Sequence, residues 1–348
     1  FLQMLMALRK RSLQHSGASP LPDIGTYFKL ISESLEFELT NAQKRVIKEI
    51  HQDLKQSISM NRLLQGDVGS GKTIVSILVS ALAVGNNTQV AIMVPTEILA
   101  TQHYHSFKTE LVKANIPCAL LVGNMKKSER TSILDGLKNG KIPVLIGTHA
   151  LIQDDVDFKN LGLVIVDEQH RFGVNQRAKL VEKGNNPHFL AMTATPIPRT
   201  LSITYHGDMD LSIIDEMPAN RIPVVTKVVE PARLGKVYKF IREEVAAGRQ
   251  CMVIYPLVEE SEKSDLAAAV EAHQELDEKF FPDLCVGLVH GRMKADEKDD
   301  IMERFSRNEI NILVSTTVVE VGVDIPNATV MVVEHADRFG LTQLHQLR

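Results

Sequence analysis

The sequence predicts an α/β protein of two tandem domains, each a mainly parallel sheet flanked by helices. Three observations predict it. The chain has 348 residues, too many for one ordinary domain and enough for two that each bury a core. Its apolar runs are short and do not alternate with polar residues, as strands covered on both faces by crossover helices require. Longer stretches of helical periodicity lie between these runs, which is the pattern of a parallel sheet.

Taken in order, residues 1–36 read as an upstream helix and linker. Leu2, Leu5 and Met6 follow a helical period, Arg9-Lys10-Arg11 is a basic cluster, and Ser16 to Pro22 is rich in turn formers. The chain opens inside this segment and closes on Arg348 without a stop signal, so both ends are expected to be cuts in a longer protein. The first domain, 37–214, carries strands expected at Arg62 to Gln65, Gln89 to Val94, Pro143 to Ile146, Leu161 to Val166 and Phe189 to Met192. Met217-Pro218-Ala219-Asn220 reads as a hinge, joining the domains between Asp215 and Arg221. The second domain, 215–348, has strands expected at Val224 to Val229, Met252 to Tyr255, Val286 to Val289, Ile312 to Val314 and Thr329 to Val333. A helix over Leu234 to Ala247 lies between the first two of these.

Composition narrows the class. With 44% hydrophobic and 24% charged residues the chain reads as globular, and no apolar run is long enough to cross a bilayer. The net charge of -4 supplies no general basic field, so any nucleic-acid contact must come from local chemistry. Cys118, Cys251 and Cys285 share no metal or redox spacing and are expected to be reduced core thiols, which fits a cytoplasmic location. His149, His290, His335 and His345 likewise lack zinc-ligand spacing.

The strongest local signal is Gly66-Asp67-Val68-Gly69-Ser70-Gly71-Lys72-Thr73, between a short strand and a helical pattern reaching Leu82. That is the context of a P-loop. Its glycines let backbone N–H groups turn inward onto phosphate oxygens, and the helix N-terminus adds a favourable dipole. Lys72 would neutralise the β- and γ-phosphates of ATP, and the Thr73 hydroxyl would hold Mg²⁺. Four aliphatics, Leu163 to Val166, then deliver Asp167-Glu168-Gln169-His170 to the carboxyl edge of the sheet, where ligands bind. Asp167 is expected to share the Mg²⁺ and Glu168 to activate the attacking water. Gln169 and His170 are placed to sense the γ-phosphate, although a histidine in such a position also serves as a plain core residue.

Asp-Glu-x-His after a P-loop resembles the superfamily 2 helicases, and further stretches match their motifs in order. Pro95-Thr96-Glu97-Ile98-Leu99 resembles motif Ia, Gly147-Thr148-His149-Ala150 motif Ib, and Thr193-Ala194-Thr195-Pro196 motif III. In the second domain, His290-Gly291-Arg292-Met293 stands at motif IV, and Ser315 to Asp324 resembles motif V. Gln343 to Arg348 resembles the opening of motif VI. Phe37 to Gln43 resembles the adenine-reading Q motif, with Gln43 as the contact. Asp167 to Val174 and Thr195 to Leu201 narrow the likeness to RecG-type helicases and transcription-repair coupling translocases. Gly207 to Ser212, Ile214 to Pro218 and Pro256 to Lys263 favour the RecG type.

This resemblance implies two RecA-like domains and an ATP-dependent helicase that remodels forked or junction duplex DNA, with no membrane partner and a monomer expected. It implies nucleotide contacts at Gln43, Gly66 to Thr73, Gly322 and Asp324. It implies DNA contacts at Pro95, Thr96, Thr148, His149, Arg292, Thr316 and Thr317, whose small polar groups suit phosphates better than base edges. Arg292 also reads as a surface arginine. Arg348 is expected to be a motif member rather than the catalytic finger, because in the family two further arginines follow. The specificity wedge and a C-terminal helical element would likewise lie outside this sequence. The alternatives are a transcription-repair coupling translocase, or a degenerate ATPase acting as a nucleic-acid scaffold, against which the intact Lys72, Thr73, Asp167 and Glu168 argue.

Overall fold

The computed structural model describes residues 17–123, 125–195, 209–219, 224–256, 262–316 and 325–347. They divide into two units, Phe1–Arg221 and Ile222–Arg348. The first is built on a sheet of seven strands, β1 (Asn61–Gly66), β2 (Gln89–Met93), β3 (Cys118–Leu121), β4 (Val144–Gly147), β5 (Leu161–Val166), β6 (His188–Thr193) and β7 (Asp210–Ile214). Their spatial order is β3-β4-β2-β5-β6-β1-β7, and every pairing is parallel. Strands β2, β4, β5 and β6 are buried at every residue, which is why their sequences read as unbroken apolar runs. Each fully buried aliphatic here contributes about 1.5–3 kcal/mol.

Helices α1 (Gly25–Glu33), α2 (Asn41–Leu54), α3 (Lys72–Gly85), α4 (Glu97–Leu111), α5 (Lys127–Lys138) and α6 (Val174–Val181) complete the first unit. Helix α3 is buried from Ile74 to Ala83. Helix α2 opens on a capping box: the Thr40 hydroxyl accepts the Gln43 N–H while the Gln43 side chain accepts the Thr40 N–H. Residues 17–33 are part of this unit rather than a free connector, since α1 packs on α3 and Leu21 and Ile31 are buried. The segment ahead of α1 is fastened by Ala18 N–H to Ser57 O at 2.9 Å and Leu21 N–H to Leu54 O at 2.7 Å. His188 fastens it as well, with Nδ1 accepting the Met60 N–H and Nε2 facing Ser19 O, each at 3.1 Å.

The second unit carries β8 (Gln250–Tyr255), β9 (Val286–Val289), β10 (Ile312–Thr316) and β11 (Ala328–Val333) in the parallel order β11-β8-β10-β9. Its helices are α7 (Leu234–Ala246), α8 (Glu262–Glu275), α9 (Ala295–Ser306) and α10 (Leu341–Leu347). Among the described residues no helix is long and apolar enough to cross a membrane.

The two sheets share one device at their amino-terminal rims. Gln89, first in β2, is buried, and its Nε2 donates to Leu137 O and Ile142 O, both at 2.9 Å, across the connection into β4. Gln250, first in β8, does the same with Phe305 O and Ile310 O across the connection into β10. An asparagine completes each: Gln89 Oε1 accepts the Asn160 N–H, and Gln250 Oε1 accepts from Asn327 Nδ2.

Several expectations are corrected. Val224 to Val229 has strand composition but pairs with nothing described and is exposed, Val228 completely, so β-propensity without a neighbour makes no strand. Strands β3 and β7 were not expected, being edge strands whose short runs carry little periodic signal. Asp215 and Glu216, placed by sequence at the start of domain two, bind α2 instead: Asp215 pairs with Arg45 at 2.7 Å, and Glu216 accepts the Ala42 N–H at 2.9 Å. Of the three thiols, Cys251 is buried and Cys118 partly so, but Cys285 is exposed and is not a core residue.

Candidate nucleotide site and helicase motifs

The strand order puts β1, β6, β5 and β2 side by side. Their carboxyl ends therefore line up the P-loop, Thr193 to Thr195, Asp167 to His170, and Pro95-Thr96 along one rim. That rim is the ligand-binding edge of a parallel sheet.

The P-loop passes from β1 into α3 with Gly69 at φ 75° and Gly71 at φ 88°, backbone states that favour glycine. A Cβ on Gly71 would lie 2.2 Å from Gln43 Nε2. Lys72 extends back over the loop, its Nζ donating to Gly66 O at 2.8 Å and Asp67 O at 3.1 Å. The Asp67 carboxylate accepts the Val68 N–H at 3.1 Å, while the Ser70 hydroxyl is buried with no hydrogen-bond partner. Gln43 is 2% exposed, and its Nε2 donates to Ser70 O at 2.8 Å. Its amide thus braces the P-loop rather than facing outward for a base.

The acidic pair is held from several sides. Asp167 N–H bonds Met93 O at 2.9 Å, and its Oδ1 accepts the Glu168 N–H at 3.0 Å. Its Oδ2 meets His103 Nε2 at 3.0 Å, a partner from α4 that motif reading missed. Leu99, Ala100, His103, Phe107 and Leu111 form the buried stripe of α4, so its helical period alone singles out the histidine. Burial works against the Asp167 charge, but the His103 hydrogen bond and the nearby Lys72 cation hold its carboxyl below the ordinary carboxylate range. Glu168 goes the other way, pushed up to about 7 by burial and by the Asp167 charge beside it. Its backbone is left-handed at φ 48°, and Oε2 lies 3.5 Å from His170 Nδ1. Two neighbouring carboxylates with opposite shifts are the pattern of a divided acid–base task.

Gln169 is buried against Arg177, whose Nη1 donates to its Oε1 at 3.3 Å. His170 is exposed, not a core histidine, and partial desolvation of its ring together with the Arg171 charge lowers its pKa. Thr193 and Thr195 join hydroxyls at 2.7 Å. Thr73, partly exposed, opens α3 next to Lys72. Thr73 and Asp167 together offer hard oxygen donors, the chemistry that suits Mg²⁺.

The residues expected on DNA are less uniform. Thr96, after Pro95, caps α4 by accepting the Leu99 N–H at 3.3 Å. The hydroxyls of Thr148 and Thr316 are buried with no hydrogen-bond partner, so neither faces solvent. His149 and Arg292 are exposed. Gly322, Asp324, Thr317 and Arg348 lie outside the described residues.

Comparison with known proteins agrees with this geometry. Residues 40–203 match the DEAD/DEAH box helicase family and residues 232–348 the helicase conserved C-terminal domain. The chain is 53% identical over 324 residues to the ATP-dependent DNA helicase RecG of Synechocystis sp., covering 93% of this chain and 39% of that protein. It is 53% identical over 348 residues to RecG of Aquifex aeolicus, covering 99% and 44%. A solved structure of RecG bound to a three-way DNA junction superposes with TM-score 0.83 at 46% identity, over 99% of this chain and 45% of that one. The RNA-bound Mss116p, at 18% identity and TM-score 0.66 over 90% of this chain and 67% of that one, shares the fold alone. The chain thus spans less than half the length of the RecG relatives it matches.

Proposed function

Since the chain belongs to the RecG-type superfamily 2 helicases, we propose that it is the ATP-driven motor of an enzyme that remodels branched DNA in recombination and repair. The observation that carries the reading is the Asp167–Glu168 pair, with Lys72 close enough to bias both groups at one sheet rim. Lys72 is a cation parked on two backbone carbonyls, able to exchange them for phosphate oxygens. The inward N–H groups of the glycine-bent loop and the amino end of α3 add further positive potential. Thr73 and Asp167 would hold Mg²⁺, which when bound neutralises phosphate charge. Glu168, with a carboxyl near neutrality, accepts the proton of the attacking water. Exposed His149 and the amino-terminal turn of α4 in the first unit, and exposed Arg292 in the second, suit phosphates, whereas the buried Thr148 and Thr316 hydroxyls do not. The RecG relative solved on a three-way junction supports branched duplex as the substrate. The expected setting is the reducing cytoplasm.

The test is DNA-stimulated phosphate release by the full-length protein on forked and linear duplexes. Lys72→Ala is expected to abolish turnover, and Glu168→Gln to leave ATP bound but intact. Turnover near wild type in Glu168→Gln would overturn the assignment of the base. Equal stimulation by forked and linear duplexes would overturn the branched substrate.

A further inference from the structure

A buried polar ring on an apolar helix stripe requires a partner, because an unpaired one costs about 1–3 kcal/mol. His103 is 6% exposed, and one face of its environment is the Phe107 ring at 6.2 Å. Its partner is Asp167 Oδ2 at 3.0 Å, a contact across 64 residues of sequence. Facing a carboxylate, Nε2 must carry the proton and donate. Asp167 Oδ1 is already fixed by the Glu168 N–H, so His103 supplies the second point that stops the carboxylate from turning about its own axis. Helix α4 begins at the Thr96 cap and carries His103 on its inner face, so the same element that opens at one motif reaches the acid of another.

We propose that His103 is a positioning residue for the reaction, holding the Asp167 carboxylate in the orientation that receives the nucleotide's Mg²⁺. The proposal rests on the reading of Asp167 as an Mg²⁺ ligand. A group acting through such a ligand is worth about 10–100-fold in metal affinity. Its effect belongs to the metal-bearing state, and binding of metal-free ATP through the P-loop does not depend on it.

The experiment measures binding of a fluorescent, non-hydrolysable ATP analogue to the full-length protein, in EDTA and across a Mg²⁺ titration. His103→Leu removes the donor at similar volume, and His103→Gln restores an N–H at similar reach. In His103→Leu, affinity in EDTA is expected within about twofold of wild type, and the Mg²⁺ concentration for half-maximal enhancement about 10–100-fold higher. His103→Gln is expected to recover most of that loss. Should His103→Leu not fold, His103→Met, equally without a donor, takes its place against His103→Gln. Equal Mg²⁺ dependence in the donor-less and His103→Gln variants, both close to wild type, overturns the positioning role. Loss of affinity in EDTA to the same extent as in Mg²⁺ also overturns it, since that marks general damage to the site. A wild-type protein with no Mg²⁺ dependence, or with the same dependence as Asp167→Ala, overturns instead the underlying reading of Asp167.

Discussion

Replacing Glu168 by Gln should make the metal-free protein more heat-stable at alkaline pH while disabling it as an ATPase. The carboxyl is pushed from an ordinary 4.5 to about 7 by burial and by Asp167. A carboxyl that prefers its proton in the folded state stabilises fully below the unfolded value and loses that contribution as pH rises through the folded one. Between 4.5 and about 7 the loss runs at about 1.4 kcal/mol per pH unit, or about 3 kcal/mol in all. Glutamine keeps the length and the left-handed backbone at φ 48°, yet it carries no charge to bury. Thermal unfolding in EDTA without nucleotide should therefore show the variant higher by roughly 6–12 °C at pH 8 for a unit of this size. The gap should shrink towards zero as pH is lowered to 5. A gap of the same size at both pH values, or a wild type that is the more stable at pH 8, would refute the claim that a strained, unwelcome charge sits at this position.

Three further outcomes follow from the same geometry. Titrating duplexes of unrelated sequence at two salt concentrations should show affinities that fall steeply with salt and agree between sequences, because the contacts go to phosphates; a large sequence effect at fixed salt would exclude this. Gly147→Ala should cost about 1–3 kcal/mol in chemical denaturation, since a Cβ there would lie 2.1 Å from the Leu121 carbonyl oxygen in the adjoining strand. Burial lowers the pKa of His188, and protonating Nδ1 would break the Met60 bond, so its contribution is present above the unfolded value of about 6.5 and is lost as pH falls below it. Stability measured from pH 7.5 to 5 should decline less steeply in His188→Gln, although His51 and His170, also lowered by desolvation, keep part of the slope; an unchanged slope would count against the latch.

What the sequence revealed is what local chemistry dictates. A phosphate loop needs glycines at the left-handed positions Gly69 and Gly71, and a buried strand ending in two acids after such a loop has few other meanings, so Lys72, Asp167 and Glu168 are legible in the sequence. His103 was hidden because its role depends on a residue 64 positions away, and the helical period that puts it on the buried stripe of α4 does not name its partner. Gln43, expected on the adenine base, faces the P-loop here, since hydrogen bonds made across 27 residues are invisible in a linear motif. Thr148 and Thr316 illustrate the converse: a hydroxyl in the expected motif can point inward, and side-chain direction at a strand end is not written in residue type. The strands followed the same rule. Fully buried central ones were legible as apolar runs, whereas edges β3 and β7 and the unpaired valines 224–229 depend on which neighbours exist.

The glutamine device at the base of both sheets bears on how such a fold can vary. Gln89 locks the spacing of β2 to β4 at the rim opposite the P-loop, and Gln250 that of β8 to β10 at the amino-terminal rim of its own sheet. Register set there does not have to be re-established by the loops at the far rim, which are left to serve catalysis and motion. A slip of one residue would move every side chain to the opposite face of the layer, so the anchor protects the packing against both sets of helices. Substitutions that harden the protein against heat accordingly belong at the glutamine end, and changes to the proposed nucleotide site at the other rim. The recurrence of one solution in both halves also means that each half carries its own alignment key, as expected of units that can assemble independently before they work together.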